Sequence, residues 1–220
     1  MRQQIHFGNS LNILDDCVIS QIIKINPSTI VDFGAGSGKY GKIIRKIYKN
    51  KKKEIFAVEG FKPTVDFLKS ENIYDSVHHS LIQDWVKNNK KSYDLAIFGD
   101  VLEHLQRREI YKVLNSALKH FNNIILTVPL MNIHQGIIGG NKLEIHRSYL
   151  YESDFDRYFI REKHVKRKGE NYFKMNIWIE KNKLNKGFMI NSLRRFRRGL
   201  VRSLNYFNAR AIFLFNLRKK

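Results

Sequence analysis

The 220-residue chain holds a single cysteine, Cys17, which excludes an intramolecular disulfide and fits a reducing compartment. Long apolar runs are also missing. No stretch approaches the roughly 18 to 20 residues needed to span a bilayer, and the opening MRQQIHFGNS lacks the apolar core of a secretion signal. The expected location is the cytoplasm. Acidic residues are scarce as well: 20 Asp and Glu against 40 Lys and Arg give a formal charge of +20 and a sequence pI near 10.0. Such a balance suits an anionic partner, and equally a lysine-rich solvated surface.

What is present is an alternation of strands and helices. Leu11, Ile13, Leu14, Val18, Ile22 and Ile23 predict a leading helix over 10–25, ending before Asn26-Pro27. TIVDF, EIFAVEG, DSVHH, YDLAIFGD and NNIILTVPL read as strands. Between them, KYGKIIRKIYKN, residues 63–69, LIQDWVKNN and EHLQRREIYKVLNSALKHF read as helices. DRYFIREKHV and NYFKMNIWIE form an expected antiparallel pair. Strands too apolar to keep one face wet imply a parallel sheet covered on both sides. The expected class is α/β, a Rossmann-like three-layer sandwich with a mostly parallel seven-stranded sheet. The expected division is a domain over 1–182 and a basic helical tail over 183–220.

The loop VDFGAGSGKYG, residues 31–41, joins the first strand to its helix. Glycine there lets backbone N–H groups and a helix N-terminus approach a ligand that a Cβ would exclude. A phosphate loop of the GxxxxGK[ST] type fails, since it needs glycine at Phe33 and Ser or Thr at Tyr40. Gly36, Gly38 and Gly41 match the GxGxxG of nicotinamide enzymes, but that register starts two residues past the strand. The register Asp32, Gly34, Gly36, Gly38 starts directly at its end and suits an adenosyl ligand carrying an amino acid.

In this register the chain resembles the class I S-adenosylmethionine-dependent methyltransferases over roughly residues 28 to 180. VDFGAGSG resembles their first motif, Glu59 ends the second strand as their acidic residue does, and YDLAIFGDVLEHL resembles their fourth-strand motif. It looks closest to a subgroup with GKYG, GDVxEH and GNxxExHRSxW segments, the last appearing as Gly140 to Ser148 with Leu150 at the tryptophan position. The resemblance implies S-adenosyl-L-methionine as cofactor, bound by Asp32, Gly34, Ala35, Gly36, Gly38, Glu59 and Asp100. Gly34 and Gly36 would approach the methionine, Asp32 its ammonium, and Glu59 both ribose hydroxyls. The adenine would meet Ser80 or the Leu81 backbone.

Methyl transfer from a sulfonium requires an in-line nucleophile and, at times, a base. Asp100, His104 and His146 are the catalytic candidates, with His134 behind them. The structural alternative for Asp100 and Glu103 is a capping box at the head of a helix, and His104 would be a half-buried helical residue. The same residues also offer a metal reading: Asp100 and His104, four apart on one helix face, could join Glu103 and a loop histidine. That pattern resembles the ExxEH of small-RNA 3′-terminal 2′-O-methyltransferases, but the expectation is no metal. The [DN]PP[YFW] segment of amino-group methylation on nucleic acid is absent. The expected acceptor is a hydroxyl or amine on a small molecule or glycan, with RNA or a non-catalytic cofactor-binding scaffold as alternatives.

From Lys183 to Lys220 there are eleven Lys or Arg and no acid. Leu193, Phe196, Leu200, Leu204, Phe207, Ala211 and Leu214 recur at helical spacing opposite the arginines. The readings of this stretch are a helix docked on the domain or a second subunit, contact with an anionic membrane surface, and RNA binding.

Overall fold

A computed structural model describes residues 11–49, 51–130, 133–169 and 172–181. The tail readings, and the homodimer, membrane and RNA contacts attached to them, therefore lie outside the described residues. Seven strands form one sheet: β1 Thr29–Phe33, β2 Glu54–Glu59, β3 Ser76–His79, β4 Tyr93–Gly99, β5 Phe121–Leu130, β6 Ile160–Lys168 and β7 Tyr172–Glu180. Their order is β3-β2-β1-β4-β5-β7-β6. The first five run parallel, and β7 inserts antiparallel between β5 and β6.

Strands β1, β4 and β5 are apolar along almost their whole length and buried on both faces. Helices therefore have to cover both sides. On one face α1 (Asp15–Ile25), α2 (Lys39–Ile47) and α3 (Lys62–Ser70) supply Val18, Ile22, Ile44 and Leu68 to the core. On the other, α4 (Ile82–Asn88) and α5 (Arg107–His120) supply Val86, Ile110, Val113 and Leu114. Phe33 stacks on Phe98 at 4.6 Å within that second layer. This is the expected three-layer sandwich. Among the described residues no helix is long and apolar enough to cross a membrane.

Two features differ from the sequence reading. The helix expected from Glu103 begins at Arg107, where Gln106 and Glu109 form a reciprocal capping box. Residues Leu102–His104 make a separate 3-10 turn instead. The capping role expected for Asp100 and Glu103 is thus taken by another pair. Leu150 is 1% exposed and packs in the core, so it does not shape a pocket wall.

The order of strands reverses between β1 and β4, which sit side by side with crossovers running outward in both directions. Ligands of open α/β sheets collect outside the strand C-termini at such a reversal. Here Phe33, Glu59 and Gly99 end their strands together.

Candidate active site

The loop after β1 is held in conformations that demand glycine: Gly34, Gly36 and Gly38 have φ of 65°, 52° and 77°. Gly34 donates its N–H to the Val58 carbonyl at 2.8 Å, pinning the loop to β2. Its position tolerates no side chain, because a Cβ would lie 2.4 Å from Cγ2 of Val101. Gly38 is then the N-cap residue of α2, which has no side-chain cap and whose first-turn residues Lys39 and Tyr40 line the cleft.

Glu59 accepts from the Gly36 N–H at 3.2 Å and from the Phe61 N–H at 2.9 Å, one bond per carboxylate oxygen. Each oxygen keeps a further lone pair. Burial raises the Glu59 carboxyl above its ordinary range, opposed by those backbone bonds. Asp32 lies deeper, beneath the loop, where its Oδ2 accepts from the Tyr74 hydroxyl at 2.7 Å. Burial pushes its carboxyl up to about 7, with the Tyr74 bond pulling the other way.

A cleft of about 1000 Å³ opens above these strand ends. Gly34, Ala35, Gly36 and Glu59 wall one half, with Leu81, Ile82 and Gln83 at its flank. The other half is walled by Asp100, Glu103, His104, His146 and Tyr172. Asp100 has a left-handed backbone, φ 52°, and its N–H is held by the Thr127 carbonyl at 3.0 Å. Its Oδ1 accepts from the Thr127 hydroxyl at 3.0 Å, and its Oδ2 meets Nζ of the buried Lys174 at 2.5 Å.

Residues 133–150 fold back over the strand ends and are stitched to the β4 loop. The N–H groups of Arg147 and Ser148 both reach the Glu103 carbonyl, at 2.8 and 3.1 Å, and the Ser148 hydroxyl donates to the Leu105 carbonyl at 2.6 Å. This brings His146 to His104, ring centroids 5.0 Å apart. Burial, helped by His146, drives His104 down to about 4, so it is neutral at neutral pH. Glu103 is fully buried, and burial together with the Asp100 charge holds its carboxyl well above the usual range.

No protein-family model matches the chain, and no curated protein matches it in sequence. Solved structures do match in fold. Magnesium protoporphyrin IX methyltransferase (ChlM) from Synechocystis PCC 6803 with bound SAM superposes at TM-score 0.55 and 11% identity, over 79% of this chain and 86% of that one. The chain has the methyltransferase fold. The N-terminal domain of EvdMO1, in the presence of SAH and D-fucose, gives TM-score 0.57 at 12% identity over 79% and 84% of the two chains. The plantazolicin methyltransferase BamL, in complex with a triazolic desmethylPZN analog and SAH, gives 0.54 at 12% over 76% and 83%.

Within this fold the expected residues separate into three groups. Gly34, Ala35, Gly36, Glu59, Leu81, Asp100, His104 and His146 all line the cleft. Asp32, Gly38 and Ser80 do not: Asp32 is 1% exposed beneath the loop, Gly38 packs toward Ile73, and Ser80 borders a separate cavity beside Asp84 and Trp85. His134 bonds the Tyr149 hydroxyl at 3.0 Å outside the cleft wall. The helical pairing of Asp100 with His104 is overturned by the 3-10 turn between them.

Sequence reasoning missed Gln83, Lys174 and Tyr172. Gln83 sits in the first turn after β3, three residues past the position searched for an adenine contact. Lys174 belongs to a strand that reads from sequence only as half of an antiparallel pair, and the insertion of β7 beside β5 is what delivers it under Asp100.

Proposed function

We propose that the protein transfers a methyl group from S-adenosyl-L-methionine to a hydroxyl or amine of a small molecule or glycan. The observation that carries this reading is the run of three left-handed glycines at the end of β1, of which Gly36 is bonded to the Glu59 carboxylate at the end of β2. Gly34 and Gly36 give a methionine moiety close access to backbone, and Glu59 retains lone pairs for two ribose hydroxyls. Leu81 and Gln83 flank the place left for an adenine. Asp32 acts from below in this reading, holding the loop through Tyr74 and adding negative charge under the cofactor's ammonium group.

The neighbours in fold support the cofactor, since their names carry SAM or SAH. Their named ligands include D-fucose and a triazolic desmethylPZN analog, consistent with a small-molecule acceptor. The acceptor half of the cleft offers Asp100, His104 and His146 to a nucleophile. The subgroup likeness of the GDVLEH and Gly140–Ser148 segments has a physical counterpart in the backbone bonds joining Glu103 to Arg147 and Ser148.

Titration calorimetry tests the cofactor. S-adenosylhomocysteine should bind more tightly than millimolar and in preference to NAD; the reverse preference removes the reading. A methyl-transfer screen with labelled cofactor against glycan, lipid and RNA pools then identifies the acceptor.

A further inference from the structure

We propose that Glu103, His104 and His146 bind one divalent transition-metal ion, zinc by the chemistry of the donors, with an open coordination position facing the cleft. Each residue brings one ligand-type atom, and these atoms lie within 4.8 Å of one another. Around a tetrahedral ion with bonds of about 2.0 to 2.2 Å, neighbouring ligands sit roughly 3.3 Å apart. The cluster reaches that spacing by closing up to about 1.5 Å, a shift within side-chain rotation.

Three independent features point at an ion. Oε2 of Glu103 is buried and has no hydrogen-bond partner among the described residues. A buried carboxylate oxygen in that condition is costly unless a cation meets it. The second feature is the orientation of the two imidazoles. His146 Nδ1 bonds the Ile133 carbonyl at 2.6 Å, and His104 Nδ1 bonds the Ile145 carbonyl at 3.4 Å. A carbonyl only accepts, so both Nδ1 atoms carry hydrogen in these bonds and the lone pair of each ring sits on Nε2, the tautomer that metal-bound histidines take.

The third feature is access. All three residues line the cleft, and two imidazoles with one carboxylate leave a fourth tetrahedral position for water or substrate, as in hydrolytic zinc sites. Asp100 is outside the cluster, its carboxylate engaged by Thr127 and Lys174. The site therefore rests on the loop carrying His146, which the stitching at Arg147 and Ser148 holds in place.

Joined to the methyl-transfer reading, on which this part rests, the open position selects an oxygen acceptor. A hydroxyl bound there loses its proton to solvent more readily. The resulting oxygen forms a bond to the methyl carbon as the carbon–sulfur bond breaks, and the neutral sulfide of S-adenosylhomocysteine leaves.

The test uses full-length protein stripped with chelator and titrated with Co²⁺ alone, followed by visible absorption, then displaced with Zn²⁺. S-adenosylhomocysteine binding is measured on the same samples. One equivalent of Co²⁺ with a tetrahedral spectrum is expected. Removing an outer-shell partner of a metal ligand typically costs about 10- to 100-fold in affinity, so His104→Gln and His146→Gln should each weaken Co²⁺ binding by at least about 100-fold while keeping S-adenosylhomocysteine. No stoichiometric uptake by the wild type, or unchanged uptake by both variants, overturns the site. Should one variant misfold, the other decides, together with thermal unfolding of the wild type: Zn²⁺ should raise the midpoint, and no rise counts against the site. Metal binding without S-adenosylhomocysteine binding sinks the cofactor reading alone.

Discussion

The Tyr74 hydroxyl sits 2.7 Å from Oδ2 of Asp32, in a buried pair directly under the glycine loop. Asp32 belongs to β1 and Tyr74 to the segment between α3 and β3, so this one bond ties the floor of the cleft to a segment that does not line it. Gly41 makes the approach possible, since a Cβ there would fall 2.5 Å from Cζ of Tyr74.

Removing that hydroxyl with Tyr74→Phe leaves a buried carboxyl short of a partner and should cost about 1 to 3 kcal/mol in urea unfolding. The burial that raises Asp32 from 3.8 to about 7 also sets a pH dependence. A raised carboxyl favours the folded state when protonated, so its contribution is complete below about pH 4 and is lost as pH climbs through 7. Asp32→Asn should flatten the stability profile across that window; a profile that still falls as steeply would mean another group is responsible.

Glu59→Gln keeps one acceptor oxygen for the loop but gives up the charge offered to the ribose. S-adenosylhomocysteine affinity should fall by about 1.5 to 3 kcal/mol, the range for hydrogen bonds to charged groups. Unchanged calorimetric affinity would place the ribose elsewhere.

Gly34→Ala and Gly41→Ala separate cofactor access from packing. The first puts a Cβ against Val101 on a backbone of φ 65° and should abolish measurable S-adenosylhomocysteine binding. The second overpacks Tyr74 and Ile73, away from the cleft, and should lower stability by about 1 to 3 kcal/mol. Cofactor affinity should survive it once folding is accounted for.

Asp100→Asn removes the acid facing the ammonium of the buried Lys174. Losing one partner of a buried ion pair costs about 3 to 5 kcal/mol. The double variant Asp100→Asn with Lys174→Met should recover most of this, because the uncompensated charge is gone. Additive losses in the double-mutant cycle would show that the pair is not coupled.

Much of the fold was legible because the strands are written in unbroken apolar runs and the turns in glycine. TIVDF matches β1 residue for residue, and the strand ending at Glu59 was placed correctly. The cleft wall was legible for Gly34, Ala35, Gly36 and Glu59, because the ends of β1 and β2 put them there. Spacing does not say whether a side chain at a strand end faces the cleft or the layer beneath; for Asp32, Tyr74, 42 residues away, decides it. The helix start was misread because Asp100 and Glu103 imitate a capping box that Gln106 and Glu109 form in fact. Lys174 was invisible because β7 enters the sheet out of chain order, a tertiary choice with no local signal.

That same late insertion leaves β6 and β3 as the two margins of the sheet. A margin strand offers unpaired backbone to any other chain. β3 is only four residues long, which gives a neighbour little to grip. β6 is nine residues long but carries Arg161, Lys163, Lys166, Arg167 and Lys168. Two copies brought together along it would set one row of cations against another, so the charge that looks like an invitation to anions also keeps this sheet from growing into its own kind.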